Sequence, residues 1–231
     1  MKTIGVLGGM SWESSLEWYR LANERVAARL GGYHSARIIL DSLDFAEIEA
    51  MQAREDWAGA GALLAARAQA LEAAGAELLV LATNTMHLVA DRIAAAVDIP
   101  FLHIADAAAA AITAEGVSTV GLLGTAFTME RPFYAERLAT HGIATIVPKS
   151  ADRAAVHAVI YDELVHGIVS EESRQRYVEI IDRLIARGAQ GIILGCTEIE
   201  LLISADDVAA PVFPTTSLHV DAAIDAAMAS D

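Results

Sequence analysis

The chain has 231 residues, 55% of them hydrophobic, with a formal net charge of -15 and one cysteine, Cys196. That length supports one large core or two of about a hundred residues each, and its acidity leaves no basic stripe to displace counterions from nucleic acid or to dock on an anionic membrane. A lone thiol excludes an internal disulfide and fits a reducing compartment, while Asp106 and Glu115 bracket the most alanine-rich run, so no membrane span is expected.

In chain order, residues 3–8 read as a strand entered directly, with no basic leader before it, so a cytoplasmic location is expected. After Gly8-Gly9, the spacing from about 13 to 30 predicts a helix, with Ser14 and Glu17 placed as a capping box and Gly31-Gly32 as the stop. Strand 36–42, a helix near 56–74, strand 77–82 and helix 86–97 follow, and Pro100 marks a break. Phe101-Leu102-His103-Ile104 then opens a second set of elements. An alanine-rich helix, strand 118–123, a helix from Met129 to about 141, strand 144–147, helices 152–165 and 171–187, strand 190–195 and a short helix after Glu198 make it up. Pro211-Val212-Phe213-Pro214 reads as the last strand and 217–229 as the last helix. Short strands alternating with longer helices predict an α/β fold with parallel sheets covered on both faces.

Two segments recur within the sequence. Gly75-Ala76-Glu77-Leu78-Leu79-Val80-Leu81-Ala82-Thr83-Asn84-Thr85 and Gly188-Ala189-Gln190-Gly191-Ile192-Ile193-Leu194-Gly195-Cys196-Thr197-Glu198 share a turn, an apolar strand and small polar residues at its end, at an offset of 113. Thr3-Ile4-Gly5-Val6-Leu7-Gly8 and Thr119-Val120-Gly121-Leu122-Leu123-Gly124 repeat at an offset of 116. Two pseudo-symmetric α/β/α domains follow from this. If the halves are equal repeats, the terminal strand and helix return to the first half. That predicts a split first domain, 1–98 plus 209–231, and a second inserted over 99–208, joined by two crossings and a hinge. Ligands of such sheets bind beyond the carboxyl ends of the strands, where Thr83-Asn84-Thr85 and Cys196-Thr197-Glu198 both fall. Facing domains would bring Thr83 and Cys196 to one ligand from opposite sides, the geometry for taking a proton from one face of a carbon and returning it to the other.

These residues resemble the aspartate/glutamate racemases, which are cofactor-independent. The resemblance runs nearly the whole length, through Gly8-Gly9-Met10-Ser11-Trp12-Glu13, Ala82-Thr83-Asn84-Thr85-Met86-His87, Leu123-Gly124-Thr125, Tyr161-Asp162-Glu163-Leu164 and Leu194-Gly195-Cys196-Thr197-Glu198-Ile199. It implies an active-site cleft between two domains, a homodimer, a small-molecule amino acid as substrate, and two cysteines working as acid and base without metal or pyridoxal phosphate. Here the first cysteine is replaced by Thr83 and the second is kept as Cys196, as in a subgroup acting on acidic amino acids. A thiol near pKa 8.5 needs a modest downward shift to ionise at neutral pH, and a helix N-terminus would offer it. A threonine hydroxyl has no such reserve. Cys196 is therefore expected to be the effective acid and base, with turnover slow or strongly unequal for the two enantiomers and the L form preferred.

Asn84, Thr85, Thr125 and Thr197 are placed to hold the substrate α-carboxylate. Met10 and Ser11 are placed on the pocket floor. Gln52 and His166 lie where the family puts contacts to the distal carboxylate, often Arg or Lys, and neither is a fixed cation. Two readings of Thr83 stand, a proton relay or a cap on the following helix. Two stand for Glu198, a carboxylate at a helix N-terminus or a group that tunes the thiol. His87 reads as a packing or capping residue, and Trp12, Trp18 and Tyr19 as core or dimer face. Gly8-Gly9 lacks the dinucleotide spacing, and the seven histidines show no H-x-x-x-H pair, so neither nucleotide nor metal is expected. An arylmalonate-decarboxylase-like enzyme, which keeps only the second cysteine, and a non-catalytic amino-acid-binding protein are the alternatives.

Overall fold

Two four-stranded parallel sheets organise the computed structural model, which describes residues 1–229. The first sheet contains β1 (Ile4–Gly8), β2 (Ile38–Ser42), β3 (Leu78–Leu81) and β4 (Phe101–Leu102) in the order β2-β1-β3-β4. The second contains β5 (Thr119–Gly124), β6 (Ala144–Ile146), β7 (Gly191–Gly195) and β8 (Val212–Pro214) in the order β6-β5-β7-β8. The helices between them are α1 (Trp12–Leu30), α2 (Phe45–Ala53), α3 (Trp57–Ala73), α4 (Ala90–Ala94), α5 (Ile104–Ala114), α6 (Ala126–Glu130), α7 (Phe133–Thr140), α8 (Ser150–Asp162), α9 (Glu171–Ala186), α10 (Ile199–Leu202) and α11 (Thr215–Met228). Both sheets thus arise from the same parallel winding.

In the first sheet the strand period of two sends Ile4, Val6, Leu78 and Val80 to one face and Leu7, Leu79 and Leu81 to the other. The first set is covered by Trp18, Leu21, Ala22 and Val26 of α1 and by Val220, Ala223, Ile224 and Ala227 of α11. The second meets Leu64, Ala68 and Leu71 of α3 and Ile93 of α4. Arg25 to Asp221 at 2.7 Å and Arg29 to Asp225 at 2.5 Å tie α1 to α11 at the surface. Trp18 is core, whereas Trp12 and Tyr19 on the same helix are exposed, together with Leu16. In the second sheet, Leu123, Ile192 and Leu194 pack with Val156 and Ile160 of α8 and Tyr177, Ile181 and Leu184 of α9.

The chain divides into two compact units, Met1–Ile104 with the chain from His219, and Ala105–Leu218. This moves the predicted seams at 98/99 and 208/209. Phe101–Leu102 completes the first sheet rather than opening the second, with Leu79 paired to Phe101. Val212–Pro214 closes the second sheet, with Ile193 paired to Phe213, rather than returning to the first. The physical reason is that each sheet takes its fourth strand from the segment directly after its third strand and a short helix, a connection that needs no long crossing. Pro100 and Pro211 mark the approach to those edge strands, where a missing N–H is tolerated; their carbonyls accept from Leu79 and Ile192 N–H, both at 2.8 Å.

Local boundaries differ as well. Ser11, not Ser14, caps α1, accepting from the Ser14 N–H at 3.3 Å. The predicted helix 86–97 is a 3-10 turn (Thr85–Val89) followed by the short α4. The predicted helix 152–165 is α8 followed by a 3-10 turn (Leu164–His166), and α2 is a helix additional to the predicted elements. No helix among the described residues is long and apolar enough to cross a membrane.

Candidate active site

In an open parallel sheet, ligands bind where neighbouring strands send their connections to opposite sides. The two strand orders put that point between β1 and β3 in one unit and between β5 and β7 in the other. Leu7 pairs with Leu81 and Leu123 with Leu194, so the sequence repeat is realised as a repeated register. The loops after Gly8 and after Leu81 leave the first sheet side by side. Thr125 and Cys196 leave the second from adjacent positions, directly beyond the Gly124–Gly195 pair.

In the first unit, Gly9 has φ of 82°, and a Cβ there would collide with the Leu43 backbone, so this loop requires glycine. Ser15 Oγ accepts from Gly9 N–H at 2.7 Å and donates to the Ser11 carbonyl at 2.9 Å, which closes the loop around buried Met10. Thr83 is half-buried, and Asn84 and Thr85 are buried. The N-cap position of the following turn falls on Asn84, so the capping reading of Thr83 is not realised. Gln52, on α2, is 4% exposed and its Nε2 donates to the Met86 sulfur at 3.1 Å. That amide therefore spends one donor inside the core cluster of Met10, Ile48 and Met86.

His87 is buried, as the packing reading has it, and its ring is hydrogen-bonded at both nitrogens. Its Nε2 receives the Ile104 N–H at 3.1 Å, and a backbone N–H can only donate, so the ring proton sits on Nδ1. Nδ1–H then donates to the Thr83 carbonyl at 2.7 Å. Sequence reasoning had no access to this link, because the second partner lies 17 residues away across a loop.

In the second unit, Thr125 caps α6, its Oγ1 accepting from Thr128 N–H, and the adjacent Ala126 N–H donates to His157 Nδ1 at 3.2 Å. Burial lowers the His157 pKa, keeping that nitrogen available as an acceptor. Cys196 is half-buried against the apolar cluster of α8 and α9, and its thiol donates to Glu198 Oε2 at 2.9 Å. Burial, and next the Glu198 charge, push the thiol well above its ordinary pKa. This overturns the downward shift expected from a helix N-terminus: α10 has four residues, and Glu198, at its N-cap position, sets a negative charge beside the sulfur. Resting Cys196 is a neutral thiol aimed at a carboxylate.

Thr197 Oγ1 lies 2.8 Å from Thr216 Oγ1, Thr216 N–H donates to Glu200 at 3.2 Å, and Thr215 Oγ1 donates to the Leu194 carbonyl at 2.9 Å. The start of α11 thus anchors the cysteine loop. Neither threonine of α11 was singled out from sequence, since nothing in the spacing links residues 215 and 216 to strand β7. His166 is exposed, on the Leu164–His166 turn that packs against α10. Among the described residues, no three or more His, Cys, Asp or Glu side chains gather as a metal site.

Comparison with known proteins agrees with this fold. A family described as Asp/Glu/Hydantoin racemase matches residues 7–223. The chain is similar to a candidate Asp/Glu racemase from Yersinia pestis, with 54% identity and a TM-score of 0.94 over 99% of this chain and 100% of that one. It is also similar to an aspartate racemase homologue from Pyrococcus horikoshii OT3, with 36% identity and a TM-score of 0.89 over 99% of this chain and 100% of that one. An uncharacterised protein from the pnlA 3' region of Pectobacterium carotovorum subsp. carotovorum is 33% identical over 105 residues, 46% of this chain and 69% of that protein. The chain belongs to the Asp/Glu/Hydantoin racemase family and is an isomerase of the racemase type.

Proposed function

We propose that the protein interconverts the enantiomers of aspartate or glutamate by deprotonation and reprotonation at Cα, with Cys196 and Thr83 serving opposite faces of that carbon. The observation that carries the reading is the Cys196 thiol held on Glu198 at the carboxyl end of β7, at the register position that Thr83 occupies after β3. As an acid, Cys196 gives its S–H proton to the carbanion and becomes a thiolate. As a base, it first passes that proton to Glu198 Oε2, and the thiolate then takes the α-proton. Thr83 carries the proton on the other face, as a relay rather than a strong base. Asn84, Thr85, Thr125 and Thr197 hold the α-carboxylate, Met10 forms the floor, and the second amide donor of Gln52 together with His166 meets the distal carboxylate. Because the two faces are served by unlike groups, the two directions run at unequal rates, with the L enantiomer preferred. The reading includes a cytoplasmic homodimer, whose subunit number sedimentation equilibrium measures.

Proton NMR in deuterium oxide with each enantiomer of aspartate and glutamate tests this. Solvent deuterium should enter Cα, Cys196→Ala should slow that entry by roughly two to four orders of magnitude, and Thr83→Cys should raise racemisation. A fully active Cys196→Ala protein would remove the mechanism. Ligand-induced thermal stabilisation without exchange would identify a binding protein instead.

A further inference from the structure

His87, His103 and His219 gather with Phe101 in the first unit, at the two points where the chain crosses between units. The His87 ring lies 4.4 Å from His103 and 6.1 Å from His219, and Phe101 lies 6.3 Å from His103. His219, the residue at which the chain re-enters the first unit, is fully buried and its Nε2–H donates to the Leu102 carbonyl at 2.9 Å. His87 takes the N–H of Ile104, the last residue before the outgoing crossing, and gives its own N–H to Thr83. One imidazole therefore joins the carbonyl of Thr83 to the outgoing crossing at the start of α5, and a second joins the incoming crossing to Leu102 of β4.

We propose that His87 is a positioning residue for the racemase reaction: its Nδ1–H, locked by the Ile104 N–H on Nε2, fixes the Thr83 backbone to the crossing and so sets the Thr83 hydroxyl. The proposal rests on the assignment of Thr83 to one face of Cα. Neither bond requires His87 to touch substrate. Both bonds require the neutral ring with one tautomer, which packing alone would not impose.

Two measurements test it. Nitrogen-15 NMR of the imidazoles in the wild-type protein reads the tautomers without any turnover: His87 should be protonated at Nδ1 and His219 at Nε2. A His87 protonated at Nε2, or one averaging between tautomers, would overturn the proposal. The second measurement compares Cα deuterium entry for the two enantiomers in three variants. Asparagine places a donor near the Nδ1 position and glutamine an acceptor near the Nε2 position, so His87→Asn keeps the Thr83 bond and His87→Gln keeps the Ile104 bond. His87→Gln and His87→Ala should shift the ratio of the two exchange rates by about tenfold or more, and His87→Asn should restore it to within about threefold of wild type. Equal slowing of both enantiomers in all three variants, tracking a fall in melting temperature, would mark His87 as purely structural. Should the wild-type protein show no exchange at all, the racemase reading falls by that result, and the tautomer measurement still decides whether the clasp exists.

Discussion

At 2.9 Å from Glu198, the Cys196 sulfur shares its proton with a carboxylate whose charge resists thiolate formation. Glu198→Gln separates two consequences. Removing the charge should lower the thiol pKa, seen as a downward shift in the pH at which iodoacetamide alkylates Cys196. Removing the proton acceptor should slow Cα exchange by roughly 10²–10⁴-fold. If the variant alkylates as wild type does, Glu198 does not control the sulfur. That Cys196 and Thr83 hold equivalent positions after β7 and β3 is legible in the sequence, because the strand repeat carries it and the backbone register preserves it. The sign of the thiol shift was not, since it depends on which way one side chain two residues downstream turns and on how much of the sulfur is covered.

Helix α11 and strand β4 meet at His219, whose Nε2–H reaches Leu102 while Nδ1 is buried with no hydrogen-bond partner. Burial brings its pKa down from 6.5 to about 4. Between those values the unfolded chain binds a proton that the folded one refuses, so this residue lowers stability as pH falls from about 6.5 to about 4, by a total of order 3 kcal/mol, and contributes no slope above or below that window. His219→Gln, which can keep the donor to Leu102, should flatten that part of a denaturation series. An unchanged slope would contradict the assignment. On the same helix, Ile224 is fully buried against the first sheet, and Ile224→Ala should cost about 2–5 kcal/mol in chemical denaturation.

The element pattern explains what sequence reading reached and what it missed. Long strands and helices with wide apolar faces, such as β5 and α9, were placed within a residue or two. Helix α2 buries only Ile48 and Gln52, one of them polar, so no apolar stripe announces it. Strands β4 and β8 have two and three residues, too few to show alternation, and membership of a sheet is decided by hydrogen bonds to a partner that local sequence does not name.

Across the whole molecule, the offsets of 113 and 116 residues forecast two sheets of one design, and the registers Leu7 to Leu81 and Leu123 to Leu194 show that design repeated. The seams were misplaced because a repeat in sequence fixes which strands correspond, not where the chain passes from one core to the next. Helix α11 begins in the second unit at Thr215 and continues into the first from His219. Truncation after Leu218 should therefore strip Val220, Ala223, Ile224 and Ala227 from the cluster around Ile4, Val6 and Trp18. Amide exchange should then accelerate across β1 and α1 while β5 and β7 keep their protection; unchanged protection in β1 would contradict this arrangement.

That straddling helix also sets an order of events at the ribosome. Residues 105–218 form a contiguous unit and can close their sheet as they emerge. The earlier-made β1 and α1 must wait, with one flank of their core uncovered, until the last stretch of α11 is translated. Of the two units, the one begun earlier is thus finished later, and it is the one a nascent-chain chaperone would have reason to hold.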